Sequence, residues 1–121
     1  MKKAIVLSLV ILGAFVNISV AQDTKTIKLE QTPGQFTVQS LTLLEGTYIF
    51  EIANNGVDHE VGFVLAPKGK TEAESHIKEA YVLKTVADGT SQTSQEVKLS
   101  KGKYVYFCPL NPTEQYALTV N

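Results

Sequence analysis

The sequence has few sulfur-containing residues and no cluster of basic ones. Cys108 is the only cysteine and Met1 the only methionine, so no disulfide can form within the chain. The formal net charge is -1, and no run of lysine or arginine is present that could neutralise a phosphate backbone. The chain also lacks a Gly-rich phosphate loop and the HExxH and CxxC motifs. We therefore expect no nucleic-acid partner and no enzymatic activity.

The first residues have the pattern of a secretory signal peptide. Two lysines precede an apolar run from Ala4 to Val16, and Ser19-Val20-Ala21 supplies small residues for cleavage. A membrane anchor is the alternative, but Asn17 interrupts an apolar run that is already shorter than the roughly 20 residues needed to span a bilayer. We predict a signal peptide over residues 1–21, a mature protein that is periplasmic or secreted, and no stable membrane insertion after cleavage.

Residues 22–121 have the size of one domain and the turn pattern of an all-β protein. Short alternating segments are separated by turn residues such as Pro33-Gly34 and Asn54-Asn55-Gly56. Several short strands at this spacing predict a single all-β domain, a Greek-key β-sandwich or barrel. The predicted strands are Thr26–Glu30, Gln35–Val38, Thr47–Ala53, Glu60–Ala66, Gln95–Leu99, Lys103–Cys108 and Gln115–Val120.

One segment departs from the β pattern and predicts a short amphipathic helix between two strands. Ala73, Ile77 and Tyr81 recur at helical spacing within Thr71–Lys84. Thr71 with Glu74 three residues later has the form of a capping box, which satisfies backbone donors at the start of a helix.

Two segments carry the residues that could bind a metal. In the first, an asparagine-rich turn at 54–56 leads to His59 at the start of a predicted strand. In the second, Tyr104, Tyr106 and Cys108 alternate along one strand and so project to the same face. A thiolate and an imidazole together make a nitrogen-and-sulfur donor set that suits copper.

These segments resemble the cupredoxins, the superfamily of plastocyanin and azurin. That family has the pattern Gly-x-Tyr-x-aromatic-x-Cys, which Gly102, Tyr104, Tyr106 and Cys108 reproduce, and an Asn-rich turn before a histidine that begins a strand. The resemblance implies a sandwich of the cupredoxin type with copper bound by His59 and Cys108. It also implies electron transfer or copper handling, with a redox partner protein or a copper donor as the partner.

The ligand set departs from the family pattern. A blue-copper site has two histidines and a cysteine with a weak axial methionine or oxygen donor. The resemblance places the second histidine three residues after the cysteine, where this chain has Asn111, and the mature chain has no methionine. Glu60 replaces the small or amide residue that usually follows the first histidine. The weak candidates for the missing ligands are the oxygens of Asn111, Glu114 and Glu60, and a water; such oxygen donors would favour Cu(II).

Three interpretations stay open from the sequence. The chain binds copper through His59 and Cys108, or it is a metal-free structural or interaction module, or a partner chain completes its copper site. Cys108 alone is typical of a buried free cysteine, and His59 alone of a histidine hydrogen-bonded to a turn carbonyl. The other histidine, His76, lies at salt-bridge spacing from Glu72 and Glu79 and is expected to be solvated.

Overall fold

A computed structural model describes residues 23–121, and the predicted signal peptide lies outside these residues. Nine strands occur in the described part of the chain. They are β1 (Thr24–Thr32), β2 (Gln35–Phe36), β3 (Ser40–Leu43), β4 (Gly46–Asn54), β5 (Val64–Pro67), β6 (Ser91–Thr93), β7 (Val97–Leu99), β8 (Gly102–Phe107) and β9 (Tyr116–Val120).

The strands form two sheets. The first has the order β2-β1-β4-β6, with β7 also paired to β4, and the second has the order β3-β9-β8-β5. β1 runs parallel to β4 and β3 runs parallel to β9, whereas the remaining pairs are antiparallel. Strands distant in sequence are therefore neighbours in space. The predicted all-β sandwich is confirmed.

The core lies between the sheets and follows the alternation of the sequence. In β4, Tyr48, Phe50 and Ile52 are all buried, as their period of two predicts. The segment that leads into β5 buries Val61 and Phe63 in the same way. The alternation of apolar residues therefore matches the buried faces of both segments.

Tyr106 of β8 lies at the centre of an aromatic cluster in this core. Its side chain is fully buried, and its ring centroid lies 5.2 Å from that of Phe36 and 5.6 Å from that of Tyr116. Its hydroxyl donates a hydrogen bond to the carbonyl of Val38. Burial, and to a lesser extent the neighbouring Tyr116, raises the pKa of Tyr106 to about 12.

The predicted helix over Thr71–Lys84 is wrong. The segment contains two short 3₁₀ turns, Ala73–Ser75 and Lys78–Ala80, separated and followed by extended residues. The cause is tertiary, because the backbone of this segment bonds outward to the sheets. The N–H of Ile77 donates to Leu65 at 2.8 Å, and the N–H of Leu83 donates to Thr93 at 2.9 Å. These contacts replace the i to i−4 bonds of an α-helix.

The capping box is also absent. No side chain caps the first turn, and the carboxylate of Glu72 instead accepts a hydrogen bond from the hydroxyl of Ser75 at 2.7 Å. That bond holds the pKa of the Glu72 carboxyl below its ordinary value. Among residues 23–121 no helix has the length and apolar character needed to cross a bilayer.

Strand boundaries differ from prediction in two regions. The segment predicted as one strand from Glu60 becomes regular only at Val64, since Val61 pairs in a single bridge with Val86. Strands β3 and β6 were not predicted at all. Both are short, and their outward residues are serine and threonine, which also suit loops.

Candidate functional site

Cys108 follows β8 directly and is buried, with 1% of its surface exposed. Its Sγ accepts two backbone hydrogen bonds, from the N–H of Gly62 at 3.3 Å and from the N–H of Asn111 at 3.3 Å. Its own N–H donates to the hydroxyl of Thr113 at 3.1 Å. Residues 108–113, the Cys108 loop, therefore wrap around the sulfur, which faces backbone donors.

Asn111 occupies the position where the resemblance expects the second histidine, and its side chain is buried and fully engaged. The Oδ1 atom accepts a hydrogen bond from the N–H of Gly34 at 2.7 Å. The Nδ2 atom donates to Oε1 of Gln31 at 3.1 Å and to the carbonyl of Thr32 at 3.0 Å. The amide ties the Cys108 loop to the end of β1, so its oxygen already has a donor.

Gln31 closes this arrangement into a ring. It is buried, and its Nε2 donates to the carbonyl of Gly62 at 2.7 Å, while the N–H of Gly62 donates to the sulfur of Cys108. We call Gln31, Gly62, Cys108 and Asn111 the Cys108 cluster. Gln31 was missed from the sequence, although it falls two residues after Leu29 on the inward face of β1 and so would be a polar residue pointing into the core.

His59 lies in a turn, residues 54–60, which we call the His59 turn. The side chain of Asn54 organises it, because Nδ2 donates to the carbonyls of His59 at 2.9 Å and Val86 at 3.0 Å, and Oδ1 accepts from Val57 at 2.9 Å. The ring of His59 is exposed, and its Nδ1 lies 3.0 Å from the carbonyl of Glu60. A carbonyl only accepts, so we assign the proton to Nδ1 and the lone pair to Nε2.

The two candidate carboxylates are exposed. Glu60 accepts a hydrogen bond from the hydroxyl of Thr85, and Glu114 lies just beyond the Cys108 loop. Residues 23–121 contain no group of three or more His, Cys, Asp or Glu side chains placed to hold one metal ion.

The residues around the sulfur do not fit a blue-copper centre. Such a centre needs imidazole lone pairs beside the thiolate. Here Sγ accepts hydrogen bonds from the N–H groups of Gly62 and Asn111, which still leave lone pairs on the sulfur, but Asn111 stands where the second imidazole would be needed. The amide oxygen of Asn111 accepts from the N–H of Gly34, so one of its two lone pairs is already used. A joint site of His59 and Cys108 stays a prediction.

His76 differs from its predicted, solvated state. Its side chain is partly buried, with Nδ1 2.7 Å from the hydroxyl of Tyr81 and Nε2 2.9 Å from the carbonyl of Thr71. Its ring also meets the ring of Phe107 edge-on, with centroids 6.1 Å apart. The sequence pattern suggested neighbouring glutamates because it assumed a helix that does not form.

The structure is similar to those of several blue copper and related proteins. Auracyanin A, a "blue" copper protein from Chloroflexus aurantiacus, matches with a TM-score of 0.65 at 20% identity, over 82% of this chain and 100% of that one. The reduced auracyanin of Roseiflexus castenholzii matches with a TM-score of 0.60 at 17% identity, over 79% and 96%. The chain has the cupredoxin fold.

An azurin from Methylomonas sp. strain J also matches, with a TM-score of 0.55 at 15% identity, over 79% of this chain and 97% of that one. No protein-family model matches the sequence, and no curated protein matches it. The cupredoxin likeness therefore stands on the arrangement of the strands. At these identities it establishes the fold, and the ligand set has to be judged from this chain's own residues.

Proposed function

We propose that this chain is an exported, non-enzymatic interaction module that keeps the cupredoxin fold without a copper centre at Cys108. The observation that carries the proposal is the side chain of Asn111. It stands where the family resemblance expects a histidine, is 4% exposed, and makes three hydrogen bonds. An amide so placed connects two parts of the fold and has no ligand role.

The burial of the sulfur supports the same proposal. Cys108 is 1% exposed, so its side chain is closed off from solvent. A buried cysteine of this kind behaves as a small apolar residue with weak hydrogen bonds. Burial also explains how a single free thiol can persist in an oxidising compartment.

Copper binding through His59 and Cys108, with electron transfer or copper handling, is the second candidate. One observation favours it: the contact of His59 Nδ1 with the carbonyl of Glu60 leaves Nε2 free, and metal-binding histidines commonly donate their other N–H to a carbonyl. The two candidate ligands differ in their access to solvent, because the sulfur of Cys108 is buried and His59 is exposed.

Titration of the reduced mature protein with Cu(II), in the absence of oxygen, separates the two candidates. The proposal predicts no thiolate-to-copper absorption band and no rise in the thermal midpoint, since only binding to the native state raises the midpoint. The second candidate predicts both effects, and their loss in His59→Gln and in Cys108→Ser. A thiolate-to-copper band that appears in the wild type and is lost in both variants would overturn the proposal.

A further inference from the structure

A groove lies beside the Cys108 cluster and shares Gly62 with it. It is bounded by the entry to β5, the segment with the 3₁₀ turns, and the two residues after Cys108. It encloses about 360 Å³, and its walls include Val64, His76, Tyr81, Pro109 and Leu110. We call it the Leu110 groove. Its volume falls within the range of roughly 300–1,000 Å³ that is usual for small-molecule sites.

The walls expose apolar surface to water. Leu110 is 49% exposed and Tyr81 is 37% exposed, although both are large apolar side chains. Gly62 carries no side chain, and a Cβ there would meet Cδ1 of Leu110 at 3.7 Å. Leu110 therefore packs over the backbone of Gly62 while much of its surface stays in water.

The hydrogen bonds of His76 and Tyr81 indicate which polar atoms the groove can offer to a ligand. The carbonyl of Thr71 only accepts, so in the neutral imidazole of His76 the proton lies on Nε2 and Nδ1 is the acceptor. Nδ1 then receives the hydroxyl hydrogen of Tyr81, at 2.7 Å. The hydroxyl hydrogen of Tyr81 is therefore engaged by His76, and the hydroxyl oxygen can act towards a ligand only as an acceptor. Among the side chains of the groove, the hydroxyl oxygen of Tyr81 is therefore a hydrogen-bond acceptor.

The groove is also uncharged. Among the described residues that line it, none is a lysine, arginine, aspartate or glutamate. An ionic ligand would lose its hydration without gaining a counter-charge. The groove is small for a protein partner, since one turn of a helix about 10 Å wide and 5.4 Å long fills roughly 400 Å³.

We propose that the Leu110 groove binds a small neutral molecule with a flat apolar body and one hydrogen-bond donor, such as a phenol or an enol. The body packs against Leu110, Pro109 and Val64, and the donor bonds to the hydroxyl oxygen of Tyr81. The proposal extends the proposed function, on which it rests, by giving the interaction module a ligand class.

Calorimetric titration of the mature protein with three probes tests the chemistry. The probes are 1-naphthol, 1-methoxynaphthalene and 1-naphthoate. We expect 1-naphthol to bind about fivefold more tightly than the methyl ether, which lacks the donor. The carboxylate should bind about tenfold more weakly than 1-naphthol. Equal affinities for the first two probes, or tighter binding of the anion, would overturn the proposal.

A pair of leucine variants tests the location. Leu110→Lys places a charge in the groove and should weaken 1-naphthol binding more than about tenfold. Leu44→Lys is the matched control, because Leu44 is 70% exposed and lines a separate cavity beside Glu45 and Tyr48. Equal losses in the two variants would contradict the location.

The same series distinguishes other occupants and keeps the two proposals separate. Self-association that Leu110→Lys abolishes, without 1-naphthol binding to the wild type, would assign the groove to a second copy of the chain and sink the small-molecule proposal. A failure to bind 1-naphthol leaves the copper titration unaffected. Copper binding with intact 1-naphthol binding would remove the proposed metal-free function but keep the groove.

Discussion

The Cys108 loop and the His59 turn are each fastened by one buried asparagine. Asn111 makes three side-chain hydrogen bonds that hold the first, and Asn54 makes three that hold the second. The loops nevertheless treat their candidate ligands differently. Cys108 is buried within a closed hydrogen-bond ring, whereas the ring of His59 is exposed and contacts the carbonyl of the next residue.

A sequence motif can therefore match a family in the course of the chain without supplying the metal ligands of that family. Both turns carry part of the sequence pattern that resembles the cupredoxins. In the Cys108 loop the side chain that could have carried a metal is an amide whose hydrogen bonds fasten the loop. In the His59 turn the imidazole is exposed, and it belongs to no group of three or more candidate ligand side chains among the described residues.

The largest expected effect comes from removing the fastener of the Cys108 loop. Asn111→Ala deletes three side-chain hydrogen bonds and leaves the buried oxygen of Gln31 and the N–H of Gly34 without their partners. We expect a loss of about 3 kcal/mol in the free energy of unfolding, measured with urea. Asn55→Ala is the matched control, since Asn55 is exposed, and should change stability by less than about 0.5 kcal/mol. Equal losses of unfolding free energy in the two variants would contradict the role of Asn111 in holding the Cys108 loop.

The sulfur provides the next test. Cys108→Ser replaces a buried thiol with a more polar hydroxyl, and we expect a loss of about 2 kcal/mol in the free energy of unfolding. The metal-free account predicts the same loss with and without added copper. If copper stabilises the wild type but not the variant, the sulfur is a ligand and the account of the Cys108 loop is wrong.

Tyr106 lies on the strand that leads to Cys108, and its burial predicts how the free energy of unfolding depends on pH. Tyr106→Phe leaves the carbonyl of Val38 unpaired and should cost about 1 kcal/mol of unfolding free energy at pH 7. The folded pKa, about 12, lies above the unfolded value near 10, so the wild type loses stability as pH rises from 10 to 12. The stability advantage of the wild type over the variant should therefore shrink and then reverse over that range, because the free energy linked to this pKa difference exceeds about 1 kcal/mol. An advantage of the wild type that stays constant or grows would contradict the burial of the hydroxyl.

The smallest effect is expected at the exposed histidine. His59→Ala removes a ring whose contact is with the carbonyl of Glu60, and we expect a change below about 0.5 kcal/mol in unfolding free energy. Thermal and urea unfolding measure it. A loss above about 1.5 kcal/mol would mean that the imidazole has a structural or ligand role that its exposure conceals.

Much of the fold could be predicted because the alternation of apolar residues is strong. The inward faces at Tyr48–Ile52 and at Val61–Leu65, and the family pattern before Cys108, all led to the observed sandwich. The predicted helix failed because its local spacing was correct but Leu65 and Thr93 compete for the backbone donors of Ile77 and Leu83. Such long-range bonds leave no periodic signal.

The candidate site was harder to predict than the fold. The sequence indicated that Asn111 stands at the position of the missing histidine. Only the structure shows that its side chain bonds to Gln31, Thr32 and Gly34. These partners precede Asn111 by 77 to 80 residues in the sequence. Pairings of this kind depend on the packing of the two sheets, which spacing within one segment cannot specify.

Elemental analysis of the protein, expressed with its own leader and purified after export, tests the central claim most directly. The account predicts no stoichiometric copper in the wild type, and no difference in metal content between the wild type and Cys108→Ser. Copper near one atom per chain that is lost in Cys108→Ser would contradict it.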